Sequence, residues 1–133
     1  MEITEYTQYD EREILGLYEA VGWTAYTRDP DALRQGFEHS LLTLAAREDG
    51  ELTGIIRAVG DGATIVYIQD LLVDPRRQRM GIGTALLRAL LDRFARVRQI
   101  VLMTDSTEGT LAFYRAVGFR ELSDLGCSGL MRC

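Results

Sequence analysis

Residues 78–83 read Gln78-Arg79-Met80-Gly81-Ile82-Gly83 and lie between a strand-like apolar run, Thr64 to Val73, and a helix-like pattern. Glycine lets the backbone adopt a positive φ without a steric penalty. The first amides of a helix have no partner inside the helix, and the helix dipole favours an anion there. Arg76 and Arg77 join Arg79 in adding positive charge beside the turn. The stretch therefore predicts a turn that binds a phosphate group.

Two common phosphate-binding motifs do not match this turn. A Walker loop ends in Gly-Lys-Ser/Thr, which the sequence does not contain. A dinucleotide-binding fingerprint needs a third glycine where this chain has Leu86. The pattern Gln/Arg-x-x-Gly-x-Gly/Ala instead resembles the acyl-CoA pyrophosphate turn of the GNAT superfamily of N-acetyltransferases.

The resemblance is strong from about Leu52 to Phe119. Phe113 to Phe119 is similar to the Phe-Tyr-x-x-x-Gly-Phe segment of that family, and Tyr67 to Val73 is similar to its fourth strand. The resemblance implies an acyltransferase that uses acetyl-CoA as co-substrate and an amine as acceptor.

Composition narrows the class of protein and its partners. A chain of 133 residues, 47% hydrophobic and 26% charged, is expected to form a single domain over residues 1–133. A formal net charge of −5 argues against a nucleic-acid partner. The sequence has neither a membrane-length apolar run nor a signal-peptide pattern, so no membrane partner and a cytoplasmic location are expected. His39, Cys127 and Cys133 do not have the spacing of metal ligands, so no metal is expected.

The order of predicted elements indicates an α/β fold with a mixed central sheet. After an edge strand at Ile3 to Tyr9, two helices are expected, one capped by Asp10 and one started by Asp29-Pro30 and extending to Leu41. An antiparallel meander follows, with hairpin turns at Asp49-Gly50 and Asp61-Gly62. The remaining predicted elements are a helix from Ile82 to Phe94, a strand from Gln99 to Thr104, a helix from Glu108 to Val117, and closing strands at Phe119 to Leu122 and Cys127 to Met131. This β-α-β-α order after a meander is that of a GNAT-like α/β sandwich.

Tyr114 is the predicted general acid. Acetyl transfer from a thioester releases a thiolate that must be protonated. The resemblance implies that the tyrosine of the Phe-Tyr segment lies near the cofactor sulfur, and Tyr114 has that position. The alternative interpretation is an aromatic side chain that only packs on the sheet, as is expected of Phe119.

The base that deprotonates the amine is left open between Asp70, a water chain and another carboxylate. Some relatives carry a glutamate on the fourth strand where this chain has Gln69, and an amide is not a base at neutral pH. Asp70 is the neighbouring carboxylate, but strand alternation points it to the opposite face unless a bulge redirects it. Asp70 can also be a buried structural acid.

The resemblance assigns the cofactor-binding residues to three segments. The pantetheine arm is expected to pair with the end of the fourth strand, and the backbone amides of Leu72 or Val73 are expected to stabilise the oxyanion. The pyrophosphate is expected on the amides from Arg79 to Thr84. Thr107 stands where many relatives have an asparagine that contacts the cofactor, and Thr107 or Ser106 can instead cap the following helix. The full expected set is Leu71, Leu72, Val73, Gln78, Arg79, Met80, Gly81, Ile82, Gly83, Thr84, Thr107 and Phe113.

The acceptor site is expected around Trp23, Tyr26, Tyr67 and Gln69, because in the family the first two helices border the acceptor pocket. A small-molecule amine and a protein lysine or N-terminus both remain open as acceptors, as does a homodimer. Two other functions are also left open: a non-catalytic acyl-CoA-binding module and a purely structural domain.

Overall fold

The computed structural model describes all 133 residues, which form two compact units, Met1–Met103 and Thr104–Cys133. The first unit contains a five-stranded sheet with the strand order β1-β2-β3-β4-β5. Its elements in chain order are β1 (Glu2–Glu5), α1 (Glu11–Ala20), α2 (Thr24–Thr27), α3 (Pro30–Glu38), β2 (Leu42–Glu48), β3 (Glu51–Gly60), β4 (Ile65–Val73), a 3₁₀ turn (Pro75–Arg77), α4 (Ile82–Arg93) and β5 (Gln99–Leu102). The second unit contains α5 (Glu108–Ala116) and a second 3₁₀ turn (Leu122–Leu125).

The sheet is mixed, as the sequence predicts. The pairings β1–β2, β2–β3 and β3–β4 are antiparallel, and β5 pairs with β4 in parallel. Asp49 and Gly50 have φ values of 50° and 81°, which suit a tight hairpin turn between β2 and β3. The predicted fold class is therefore confirmed, with a correction at the C-terminus of the chain.

The first helices begin at the predicted caps. The side chain of Asp10 accepts a hydrogen bond from the Glu13 N–H, and that of Asp29 accepts one from the Ala32 N–H. The prediction that the second helix reaches Leu41 is wrong, because α3 ends at Glu38 and the Leu41 N–H donates to the Ala58 carbonyl of β3. The short helix α2 was not predicted.

Helix α4 packs closely on β3, and this contact positions its N-terminus at the end of β4. Ile82, Leu86, Leu87 and Leu90 are its buried residues. A Cβ at Gly54 would lie 2.9 Å from the Leu72 carbonyl oxygen and 3.1 Å from Cγ2 of Ile82. Glycine is therefore required at position 54 for this close approach.

The two predicted closing strands are absent. The chain turns at Leu122–Leu125, Gly126 has a φ of 72°, and the Cys127 N–H donates to the Leu122 carbonyl at 2.8 Å. This hydrogen bond closes a turn where an extended strand was expected, and the side chain of Leu130 is 94% exposed. Membrane crossing requires a longer and more apolar helix than any in the chain.

Candidate active site

The end of β4 has one edge with no strand partner. Pairing between β4 and β5 runs from Ile65 opposite Gln99 to Ile68 opposite Leu102, while β4 continues to Val73. On its other side, β4 stays paired with β3 as far as Val73 opposite Gly54. Main-chain groups at the end of β4 are therefore available on the side from which β5 has ended.

The hydrogen-bond pattern identifies which of these groups face the free edge. The Asp74 N–H donates to the Thr53 carbonyl at 2.8 Å, so it points toward β3. Main-chain groups of alternate residues in a strand point to the same side. Leu72 therefore also faces β3, whereas Leu71 and Val73 present their main-chain groups to the free edge.

The turn after β4 leaves a run of main-chain amides without partners. Arg79 and Gly81 have φ values of 69° and 79°, and Gly81 is the N-cap of α4 without a side-chain capping bond. No protein acceptor takes a hydrogen bond from the N–H groups of residues 79–84. A Cβ at Gly81 would meet no heavy atom within 4 Å, so its φ is what favours glycine there. Successive free amides of this kind form an anion-binding concavity.

Two of the three arginines expected to add positive charge beside this turn are paired with carboxylates, which corrects the sequence prediction. Arg76 contacts Asp74 at 2.8 Å and Glu51 at 3.4 Å. Arg77 contacts Glu48 at 2.6 Å and Glu51 at 3.1 Å. These ion pairs link the turn to the β2–β3 hairpin, and only Arg79 of the three has no carboxylate partner.

Five polar side chains, here called the Asp70 cluster, are joined by hydrogen bonds beside the bulge in β4. It consists of Tyr18, Tyr26, Arg57, Gln69 and Asp70. Oδ2 of Asp70 lies 2.8 Å from both Nε and Nη2 of Arg57 and accepts from the Tyr18 hydroxyl at 2.7 Å. Oδ1 accepts from the Tyr26 hydroxyl at 3.0 Å, and Nε2 of Gln69 donates to the Tyr26 oxygen at 2.9 Å.

The cluster combines an ion pair with two protonated phenols. Asp70 and Arg57 are only 2% and 5% exposed, so each charge depends on the other for compensation. Burial raises the pKa of Tyr18, and the charge of Asp70 raises it further. Burial is also the main cause that raises the pKa of Tyr26. Both hydroxyls therefore stay protonated at neutral pH and donate to the carboxylate.

The bulge that could redirect Asp70 is present, but Asp70 stays on the buried face. Arg57 pairs with Asp70 and Ala58 pairs with Ile68, so Gln69 is the extra residue on β4. Burial still alternates along the strand, with Ile68, Asp70 and Leu72 buried and Gln69 exposed. Asp70 is thus linked to the surface through Tyr26.

Three of the four residues predicted to line the acceptor site lie together: Trp23, Tyr26 and Gln69. The ring of Trp23 stacks on that of Tyr26 with centroids 6.2 Å apart, and Tyr26 bonds Gln69. Tyr67 makes no hydrogen bond or ring contact with them. Arg57 was not predicted from the sequence; its one local signal is a charged residue within the apolar run of β3, and this does not identify its partner.

The second unit contains Tyr114 and two predicted cofactor residues, Thr107 and Phe113. Tyr114 lies against the rings of Phe113 and Phe119, with centroids 5.0 Å and 5.8 Å away. Burial, followed by the charge of Asp105, raises the pKa of Tyr114, so its hydroxyl keeps its proton at neutral pH.

Thr107 occupies the N-cap position of α5 without capping the helix. Its hydroxyl donates to Asp105 at 2.6 Å, so the alternative that the Thr107 side chain caps α5 does not hold. In the whole chain, no three His, Cys, Asp or Glu side chains are grouped so that they could hold a metal ion.

Comparison with known proteins agrees with this architecture. A sequence model described as the acetyltransferase (GNAT) family matches residues 6–119. The chain belongs to the GNAT acetyltransferase family. A solved GNAT family acetyltransferase from Streptococcus pneumoniae TIGR4 is 38% identical, with a TM-score of 0.91 over 99% of this chain and 96% of the other. Aminoglycoside 6′-N-acetyltransferase, solved in complex with coenzyme A, shares the GNAT fold at 22% identity, with a TM-score of 0.70 over 89% of this chain and 84% of the other.

Among curated sequences, this GNAT chain resembles plant acetyltransferases. Serotonin N-acetyltransferase 2, chloroplastic, from Oryza sativa subsp. japonica is 32% identical over 69% of the chain. GCN5-related N-acetyltransferase 2, chloroplastic, from Arabidopsis thaliana is 30% identical over 92% of the chain. The chain spans about half the length of these relatives, 48% of the rice protein and 54% of the Arabidopsis protein.

Proposed function

We propose that residues 1–133 act as one N-acetyltransferase domain that moves an acetyl group from acetyl-CoA to a primary amine. The attack is direct and takes place while both substrates are bound. The observation that carries the proposal is the run of unpaired amides at residues 79–84, which follows directly on the free edge of β4. We also keep the cytoplasmic location as a prediction, although two plant relatives are named chloroplastic.

The residues of the first unit fit coenzyme A in two ways. The free amides of the turn can donate to the oxygens of a diphosphate, and the αL residues Arg79 and Gly81 hold them in that arrangement. The main-chain groups of Leu71 and the carbonyl of Val73 can pair with the amides of an extended pantetheine arm, which leaves the Val73 N–H free. When bound, acetyl-CoA supplies the acetyl group as a thioester.

The direction of the main-chain groups supports one of the two expected oxyanion donors. Between the two residues considered from sequence, the Val73 N–H faces the free edge and the Leu72 N–H faces β3. We therefore assign oxyanion stabilisation to the Val73 N–H. A fixed donor at this position would stabilise the negative charge that develops on the carbonyl oxygen.

Tyr114 is proposed as the general acid that protonates the leaving thiolate. Its hydroxyl makes no hydrogen bond to another protein group, so its proton is not committed elsewhere. The raised pKa of Tyr114, caused mainly by burial, keeps the proton available at neutral pH.

The proton of the amine is proposed to pass to water, with Asp70 as the alternative acceptor. Both carboxylate oxygens of Asp70 already accept hydrogen bonds from buried donors. Asp70 is only 2% exposed and reaches the surface through the Tyr26 hydroxyl, so solvent water is better placed to take the proton from the amine.

The acceptor is proposed to be a small-molecule amine or a protein amine. The names of similar proteins include serotonin, a ribosomal-protein alanine, histone and aminoglycoside substrates. A test panel therefore consists of serotonin, an aminoglycoside, a peptide with an N-terminal alanine and a lysine-containing histone peptide.

The test is acetylation of this panel with acetyl-CoA, read as released thiol and as product mass. Transfer to at least one amine supports the proposal. Binding of coenzyme A without transfer to any amine would instead identify a non-catalytic acyl-CoA-binding module. Failure of coenzyme A to raise the melting temperature at high excess would contradict both functions.

A further inference from the structure

The exposed side of the Asp70 cluster presents two hydrogen-bond acceptors that no protein group uses. The single proton of the Tyr26 hydroxyl goes to Oδ1 of Asp70, and the Tyr26 oxygen accepts from Nε2 of Gln69. One acceptor position on that oxygen therefore remains. Since Nε2 of Gln69 bonds Tyr26, the carbonyl oxygen Oε1 of the exposed Gln69 side chain is also without a protein donor.

Arg57 determines the direction of these hydrogen bonds. Its Nε and Nη2 both lie 2.8 Å from Oδ2 of Asp70, which also accepts from Tyr18. Oδ1 is left as the acceptor for Tyr26. An ionised carboxylate has no proton to donate, so Tyr26 is the donor of this bond and can offer only a lone pair outward.

We propose that Arg57 and Asp70 are positioning residues that hold the Tyr26 oxygen, beside Oε1 of Gln69, as a hydrogen-bond acceptor for the N–H groups of the acceptor amine. This inference rests on the proposed N-acetyltransferase function. The exposed ring of Trp23, stacked on Tyr26, is an aromatic face beside the same point.

Both hydrogen-bond acceptors at this site are neutral groups, and this affects which form of the amine they bind. A carboxylate in contact with the amine would stabilise the ammonium form, which has no lone pair for attack. Tyr26 and Gln69 bind N–H groups without a formal charge, so the neutral amine is held with its lone pair free. The charge of Asp70 polarises the phenol from behind and does not contact the amine.

The substitution Asp70→Asn is expected to change the outward side of the Tyr26 hydroxyl from a hydrogen-bond acceptor to a donor. The amide oxygen of the new side chain must replace Oδ2, because Arg57 and Tyr18 donate there. The amide nitrogen then replaces Oδ1 and donates to Tyr26. Both lone pairs of the Tyr26 oxygen are thereby used, and its proton points outward where the amine N–H should bind.

The experiment measures steady-state KM separately for the amine and for acetyl-CoA, with an amine that the wild-type protein acetylates. Tyr26→Phe is expected to raise the amine KM about 10-fold with an unchanged acetyl-CoA KM, because one hydrogen bond to the amine is lost. Asp70→Asn is expected to raise the amine KM by a similar factor, and the double variant is expected to be no worse than Tyr26→Phe alone. Tyr6→Phe, which also removes a half-buried hydroxyl bonded to a carboxylate, is the control and should leave the amine KM unchanged.

Two results would overturn the inference while leaving the proposed function standing. One is an amine KM in Tyr26→Phe equal to that of the wild-type protein. The other is an effect of Asp70→Asn that multiplies with that of Tyr26→Phe, which indicates a purely structural role. If Asp70→Asn does not fold, Tyr26→Phe and Gln69→Leu decide the matter, since both are expected to fold and to raise the amine KM. No transfer by the wild-type protein to any amine contradicts the proposed function itself.

Discussion

Replacing Gly81 by asparagine or aspartate tests whether the free amides of the turn bind the diphosphate of coenzyme A. Position 81 is the N-cap of α4, with a φ of 79° and no heavy atom within 4 Å of an added Cβ. Among residues with a side chain, Asn and Asp tolerate positive φ best, so both variants are expected to fold. A side-chain oxygen at an N-cap accepts from the second or third amide of the helix, here Gly83 or Thr84.

The new side chain and coenzyme A compete for these amides, and the expected losses of affinity follow from this competition. Gly81→Asn removes about one donor from the ligand, which costs about 1.4 kcal/mol or tenfold in Kd. Gly81→Asp adds repulsion between like charges, at least about 1.5 kcal/mol at an effective dielectric constant of about 20, for a total loss of about 100-fold. Salt screens only the charge repulsion, so the Kd values of the two variants for coenzyme A should converge as ionic strength rises.

The assay is calorimetric titration with coenzyme A, accompanied by thermal unfolding of each variant. Gly126→Asp is the matched control, because Gly126 has a φ of 72° and equally open surroundings. The control should show the same backbone strain with unchanged affinity. Binding of coenzyme A to Gly81→Asp within about threefold of wild type, with a normal unfolding transition, would refute the assignment of these amides to the diphosphate.

Three further predictions concern the acid, the packing of α4 and the pH dependence of stability. Tyr114→Phe keeps the ring and removes the proton, so kcat should fall about 10- to 1000-fold while coenzyme A binding persists, and an unchanged kcat would exclude the acid role. Gly54→Ala puts a methyl group 2.9 Å from the Leu72 carbonyl oxygen, so chemical denaturation should show a loss of about 1–3 kcal/mol in unfolding free energy, and wild-type stability would contradict this. A hydrogen bond from Arg76 is the main cause that lowers the pKa of Asp74. Its ionised form therefore stabilises the fold above about pH 4, and this contribution is lost as the pH falls further. The difference in unfolding free energy between wild type and Asp74→Asn should shrink in acid, and a constant difference would contradict this reasoning.

The antiparallel meander and the glycine turn before α4 could be predicted because their determinants are local. Asp49-Gly50 specifies a tight hairpin by its backbone conformations alone. The alternation of apolar residues in β4 fixes which face is buried, and the observed burial follows it. The family resemblance then supplied the proposed function of the turn, which local conformation does not determine.

The Asp70 cluster could not be predicted because it depends on the register between β3 and β4. A bulge at Gln69 sets Asp70 opposite Arg57, and a register without this bulge would place another residue there. Tyr26 reaches the same carboxylate from α2, a helix of one turn that has no clear periodicity in the sequence. The ion pairs of the turn arginines could not be predicted for a similar reason. Arg77 lies close to Glu48 and Glu51 only in the folded chain.

The closing strands were predicted from short apolar stretches that are compatible with several conformations. Local hydrogen bonding decides the outcome at Leu122–Leu125, where the chain turns and Gly126 adopts a left-handed conformation. Such turns compete directly with strand formation, because each main-chain amide can be satisfied only once.

The direct test of diphosphate binding is amide NMR of the ¹⁵N-labelled protein titrated with coenzyme A. The amide signals of residues 79–84 should shift, and their hydrogen exchange should slow at least ~10-fold at saturation, because these unpaired N–H groups gain an acceptor. If saturating coenzyme A leaves the signals and exchange rates of residues 79–84 unchanged, the turn does not hold the diphosphate.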